Sequence, residues 1–155
     1  MDIEYLRDVP ETIPVLAEAM AAHWERIVAG ESFERRKARL EAHAQYDGLP
    51  IAWVAMVAGQ PVATSALRVC DLDGREDLTP WLAGVFVMPE YRGRGIASKV
   101  CEVAERQAWS WNVETLYLHT PDQQALYRKR GWRRLETADW NGVETTIMTK
   151  PNPNA

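Results

Sequence analysis

At 155 residues, 46% of them hydrophobic, the chain is long enough for one compact domain with its own core and leaves no room for a second. Its 18 Lys and Arg against 22 Asp and Glu give a formal charge of −4, which disfavours duplex nucleic acid and anionic membranes as partners, because both draw on a basic excess. Cys70 and Cys101 lie far apart with no CxxC pair or His cluster, so no zinc site or disulfide framework is expected, and without a leader-like or spanning apolar segment the protein reads as soluble and cytoplasmic.

Ile3 to Leu6 predicts a first strand, broken by Pro10-Glu11-Thr12 ahead of a helix from about Pro14 to Trp24 that carries Val15, Ala19, Met20 and His23 at helical spacing. A second helix starts near Ser32 as N-cap and runs through Phe33, Lys37, Leu40 and Ala44. Glu31 stands four residues before Arg35, suggesting a surface pair, and Arg35-Arg36-Lys37 reads as a solvated face.

Ile51 to Ala58 is an unbroken apolar run, short and rich in Val, Ile and Trp, as a buried strand should be. A Gly59-Gln60 turn leads into a strand over Pro61 to Cys70; Asp71-Leu72-Asp73-Gly74 makes the next turn and Trp81 to Met88 the next strand, so three consecutive antiparallel strands are expected. Ile96, Val100, Val103, Ala104, Gln107 and Trp111 follow helical spacing, predicting a long helix packed on the sheet, and Thr115 to His119 returns to strand. Thr120-Pro121-Asp122-Gln123 has the form of a capping box for a short helix that ends at Gly131. Trp132 to Glu136 and Val143 to Lys150 form a last pair around Asn141-Gly142, leaving Pro151 to Ala155 as a frayed tail beyond a single domain over 1–150. The order gives a mixed α+β architecture in which Trp81–Met88 and Thr115–His119, joined through a helix, run parallel.

Chemistry concentrates in Val87-Met88-Pro89-Glu90-Tyr91-Arg92-Gly93-Arg94-Gly95-Ile96-Ala97-Ser98. A glycine-rich turn feeding a helix leaves several backbone N–H groups unpaired and pointing outward, and the helix dipole adds partial positive charge, so the segment is a candidate anion cradle. Gly93 and Gly95 admit a phosphate to the main chain, Ala97 keeps the first turn narrow, and Arg92 and Arg94 add charged donors. The plainer alternative is an ordinary strand-to-helix turn with arginines in solvent. A P-loop fails, because Ile96 follows Gly95 where Gly-Lys-Ser/Thr is needed. A dinucleotide fingerprint fails too, with Ser98 at the third glycine position and His119 closing the next strand.

Arg92-x-x-Gly95-x-Ala97 after a strand ending Val85-Phe86-Val87, with Ala125-Leu126-Tyr127-Arg128-Lys129-Arg130-Gly131-Trp132 further on, resembles the GNAT acyltransferase superfamily. The resemblance implies a mixed, mostly antiparallel central sheet with one splayed parallel strand pair and about four flanking helices. It implies acetyl-CoA as cosubstrate and no metal, with the pyrophosphate on the amides of Arg92 to Ser98 and the pantetheine arm on unpaired main-chain groups of Phe86 and Val87. The Val87 amide would face the developing oxyanion, and Tyr127 would be the general acid toward the departing thiolate. Many members carry an asparagine where this chain has Asp122, Gln123 and Gln124, a departure at the pantetheine. For the general base, His119 at the strand end is the first candidate, with Glu76 and Asp77 as alternatives, each with a structural role as competitor.

Of the seven tryptophans, Trp24, Trp53 and Trp81 could line an acceptor pocket, with core filling favoured for Trp53, while Trp109 and Trp111 could cover a sheet edge or a dimer contact. The expected activity is transfer of the acetyl group from acetyl-CoA to a primary amine, a small molecule or a peptide N-terminus, by direct attack in a ternary complex. The alternative is a non-catalytic acyl-CoA-binding sensor, which keeps the Arg92–Ser98 loop and has no need of Tyr127. Similar proteins commonly form dimers, which leaves a homodimer open.

Overall fold

The structure, a computed structural model, describes residues 1–155. Strands β1 (Asp2–Tyr5), β2 (Ile51–Val57), β3 (Gln60–Arg68), β4 (Trp81–Val87), β5 (Thr115–Thr120), β6 (Arg133–Trp140) and β7 (Val143–Pro151) form one sheet in the order β1-β2-β3-β4-β5-β7-β6. Helices α1 (Ile13–Trp24) and α2 (Phe33–His43) cover one face; α3 (Ile96–Ser110) and α4 (Gln124–Lys129) cover the other. All pairings are antiparallel except β4 with β5, as a helical crossover between them requires.

Strand alternation sorts the core into two layers. Ile51, Trp53, Leu67, Leu82, Leu116, Leu118 and Met148 face α3, where they meet Cys101, Ala104 and Ala108. Ala52, Val54, Ala66 and Phe86 face the other way, against Leu16, Met20 and Leu40 of α1 and α2. A satellite cluster of Leu72, Trp81 and Ile147 seals the loop before β4 onto the sheet.

Several local expectations are corrected. The first hairpin turns on Ala58-Gly59, both at positive φ, one residue earlier than Gly59-Gln60. The buried stripe of α1 is Ile13, Leu16, Ala17 and Met20, while Val15 is exposed. Arg36 is not on a solvated face. It is buried, its Nε donates to Glu31 at 3.0 Å, and its guanidinium stacks on Trp24, so Glu31 serves Arg36 rather than Arg35. Thr120 does accept from the Gln123 amide at 2.9 Å, yet it caps a turn, and α4 opens only at Gln124. The tail is held rather than frayed: Asn152 is buried, donates from its side chain to Val113 at 2.9 Å and from its amide to Glu114 at 2.8 Å.

Candidate active site

The parallel pair of β4 and β5 is joined only where Trp81 lies opposite Tyr117, with the Tyr117 amide donating to Pro80 at 3.1 Å. Beyond that point the two strands part, whereas β5 and β7 stay in register from Thr115 to Thr120. The cause is on β4. Between the pairs Ala66↔Ala83 and Thr64↔Phe86 the strand carries one extra residue, and Gly84 takes φ 58°. Such a bulge bends its strand and increases the local twist, which swings the C-terminal end of β4 away from β5. An isolated glycine inside a strand pattern is the sequence signal for this, and it was overlooked.

Past the bulge, the Met88 amide donates to Val62 on β3 at 2.8 Å, so the neighbouring Val87, opposite Ala63, turns its N–H and C=O toward β5 and the gap. Its carbonyl accepts from Nε of Arg92 at 2.9 Å. The Val87 N–H faces a strand that is no longer within pairing distance. Phe86 differs from the expectation: the same alternation directs its main chain to Thr64, and what it brings to the site is its ring, which carries the Arg92 guanidinium and packs on His23 and Trp24.

At the same end of the sheet α3 begins with no capping side chain, unlike α2, where Ser32 accepts from the Arg35 amide at 3.1 Å. Gly93 and Gly95 sit at φ 76° and 77°, conformations that disfavour any side chain bearing Cβ, and a Cβ built at either would meet nothing within 4 Å. The amides of Gly93, Arg94 and Gly95 find no acceptor in the protein, and those of Ile96, Ala97 and Ser98 open the first turn. Exposed donors, a helix N-terminus and two exposed arginines thus lie together on one short segment; Arg94 stacks on Tyr91, and Arg92 donates from Nε alone, to the Val87 carbonyl.

Tyr127 lies on the α3 face, 7% exposed, edge-on to Trp132 and in the same core layer as Cys101. Burial raises its pKa well above the usual phenol value, and Cys101 adds to this, so the hydroxyl is protonated throughout the neutral range. Burial likewise pushes Cys101 up to about 12, leaving it an inert thiol. The position of α4 is set by Glu105, a buried carboxylate of α3 that the sequence reading passed over. It accepts from Arg130 at 3.1 Å, Trp132 Nε1 at 3.2 Å and Lys150 Nζ at 2.7 Å, tying α3 to α4, β6 and β7.

The base candidates separate sharply. His119 is at the end of β5 but on the opposite face from Tyr127, under Trp81 and Trp140. Its Nε2 donates to the Asp71 carbonyl at 3.2 Å and its Nδ1 meets the Thr145 hydroxyl at 2.9 Å, so no lone pair is left for a substrate. Burial pushes the Asp71 carboxyl up, but His119, Arg68 and Arg39 outweigh it, and the group ends below its ordinary value. Glu76 accepts from the Gly74 amide, and Asp77 is clamped by Arg75, both in the turn before β4 and away from the end where the strands part. Of the tryptophans, Trp53 is buried on the α3 face and Trp81 is fully buried, so neither lines a pocket on the α1 side. Trp24 remains there, one of its faces already covered by Arg36. Trp109 is core and Trp111 is exposed.

A feature the sequence reading missed stands at the mouth of the gap: His23, exposed at the end of α1, lies edge-on to Phe86 (5.4 Å) and Trp24 (5.0 Å). Partial burial, and next the charge of Arg92, hold its pKa below the ordinary imidazole value against an opposing pull from Asp122.

The model of the acetyltransferase (GNAT) family matches residues 16–132. A ribosomal-protein-alanine N-acetyltransferase from Brucella melitensis superposes with a TM-score of 0.77 at 20% identity, over 97% of this chain and 99% of that one. The aminoglycoside 6'-N-acetyltransferase from Enterococcus faecium gives 0.73 at 17% identity, over 97% of each chain. An aminoglycoside 6'-N-acetyltransferase complexed with coenzyme A gives 0.76 at 17% identity, again over 97% of each. At these identities the likeness is one of fold. A search of curated proteins by sequence gave no match.

Proposed function

The chain belongs to the GNAT acetyltransferase family, and from that premise we propose that it transfers the acetyl group of acetyl-CoA to a primary amine by direct attack within a ternary complex. The observation that carries this reading is the combination of parted parallel strands with an uncapped, glycine-lined helix start at the same sheet end. In this reading the free amides from Gly93 to Ser98, with Arg92 and Arg94, hold the diphosphate of the substrate thioester, since backbone donors and the helix dipole favour a double negative charge. The pantetheine arm lies along the gap and pairs with the main chain of Val87 as an added strand would.

The amine nitrogen attacks the thioester carbonyl carbon, and the oxygen that gains charge is met by the Val87 N–H. The carbon–sulfur bond then breaks, and the thiolate takes the phenolic proton of Tyr127, which water replaces. A phenol whose pKa is raised by burial stays protonated until a sulfur anion forms nearby, which suits an acid for this step. The acceptor amine comes from the α1 and α2 side, a small molecule or a peptide N-terminus, as the acceptors in the names of the structural relatives suggest.

The test is release of CoA from acetyl-CoA against kanamycin, spermidine and a peptide beginning with alanine, alongside calorimetry of CoA binding. Saturable, amine-dependent release is expected. Tight CoA binding with no turnover on any amine would instead support the sensor reading, and absence of binding would remove both.

A further inference from the structure

His23 is the one histidine whose imidazole is open to a substrate. The chain has three histidines. His119 has both ring nitrogens engaged. His43 is buried, and burial followed by Arg68 and Arg39 lowers its pKa to about 3. His23 alone is exposed, with neither ring nitrogen hydrogen-bonded inside the protein.

Its placement is specific. The ring packs on Phe86, the residue before Val87, and so stands beside the end of β4 where the gap opens. Phe86 belongs to the apolar layer under α1 and α2, while Tyr127 belongs to the layer under α3. The charged groups facing His23 are Arg92, from the turn between β4 and α3, and Asp122, from the turn between β5 and α4. Arg36 of α2, which stacks on Trp24, is already paired with buried Glu31.

We propose that His23 is the general base that takes the proton of the attacking amine, on the face of the sheet opposite Tyr127. This rests on the acetyltransferase reading above. The two proton transfers are then separated by the sheet. As the carbon–nitrogen bond forms, the amine proton passes to a ring nitrogen of His23 and on to water, which an exposed ring reaches freely. As the carbon–sulfur bond breaks, a different proton reaches the thiolate from Tyr127. One amine and one thioester give one amide and one thiol, with no other reactant. The neighbours also suit the role: Arg92 and partial burial keep the imidazole unprotonated near neutral pH, and Asp122 stabilises the imidazolium once it forms.

The experiment compares wild type, His23→Gln and Asp122→Asn in kcat and its pH profile with acetyl-CoA and the best acceptor of kanamycin, spermidine and an alanine-initiated peptide, with CoA affinity read by calorimetry. For His23→Gln, kcat falls by about 10²–10³-fold and the acid limb of the profile disappears, while CoA affinity stays within about threefold. For Asp122→Asn the acid limb survives and moves to lower pH, because a carboxylate that raises the imidazole pKa has been removed. An acid limb unchanged in His23→Gln, or a kcat within about threefold of wild type, overturns the assignment while wild-type turnover leaves the acetyltransferase reading standing. A wild type that binds CoA and turns over none of the three amines overturns both.

Discussion

Replacing Gly95 by Val separates the cost of folding from the cost of binding at the start of α3. The residue sits at φ 77°, and a left-handed conformation costs a side chain with Cβ about 1–2 kcal/mol, more when it is β-branched. No steric clash adds to this, because an added Cβ meets nothing within 4 Å. A modest loss of about 1–3 kcal/mol is therefore expected in urea denaturation, with the m-value unchanged. Binding should suffer far more. If the backbone relieves the strain by rotating out of the left-handed region, the amides of Gly95 and Ile96 swing out of line with those of Gly93 and Arg94. Each charge-assisted amide contact is worth about 1.5–3 kcal/mol, so losing two weakens CoA by about 10²–10⁴-fold in calorimetry. A variant that folds with the expected loss and binds CoA with wild-type affinity would refute the placement of the diphosphate on these amides.

Tyr127→Phe keeps the ring packed on Trp132 and removes the acid, so kcat should fall by about 10–10³-fold with CoA affinity within about threefold in calorimetry; unchanged turnover would exclude the phenol as donor. Glu105→Ala strips a buried carboxylate from Arg130, Lys150 and Trp132 and should cost about 3–5 kcal/mol in urea denaturation, because two cations lose their partner away from water. His43 is neutral in the fold, with a pKa lowered from 6.5 to about 3, so the unfolded chain binds the extra proton between those values. Its contribution therefore falls as pH drops below about 6.5, with a slope approaching about 1.4 kcal/mol per pH unit, and is lost entirely near pH 3. His43→Gln should flatten that part of the stability profile measured by urea denaturation; identical slopes in the two proteins would mean that the imidazole titrates freely when folded.

The strand and helix order was legible in the residues because periodicity and turn chemistry are local. The apolar run from Ile51, the Asn141-Gly142 turn and the spacing from Ile96 each carry their own signal over a few neighbours, and all three elements form where expected. The left-handed turn ahead of α3 was legible for the same reason, since Gly93 and Gly95 ahead of a helical pattern specify a backbone conformation without reference to the rest of the chain. Which groups share a site was decided only in three dimensions. Arg36 looked like solvent-facing charge because its partners Glu31 and Trp24 meet it through the turn between α1 and α2. His119 looked available until Asp71 and Thr145, from two other segments, closed on its ring, and His23 acquired its neighbours Phe86, Arg92 and Asp122 from three. The parting of β4 from β5 depends on one inserted residue at Gly84, read against the register of β3. Local sequence encodes conformation, whereas burial, charge pairing and an open strand edge are properties of surfaces that meet only after the chain has folded.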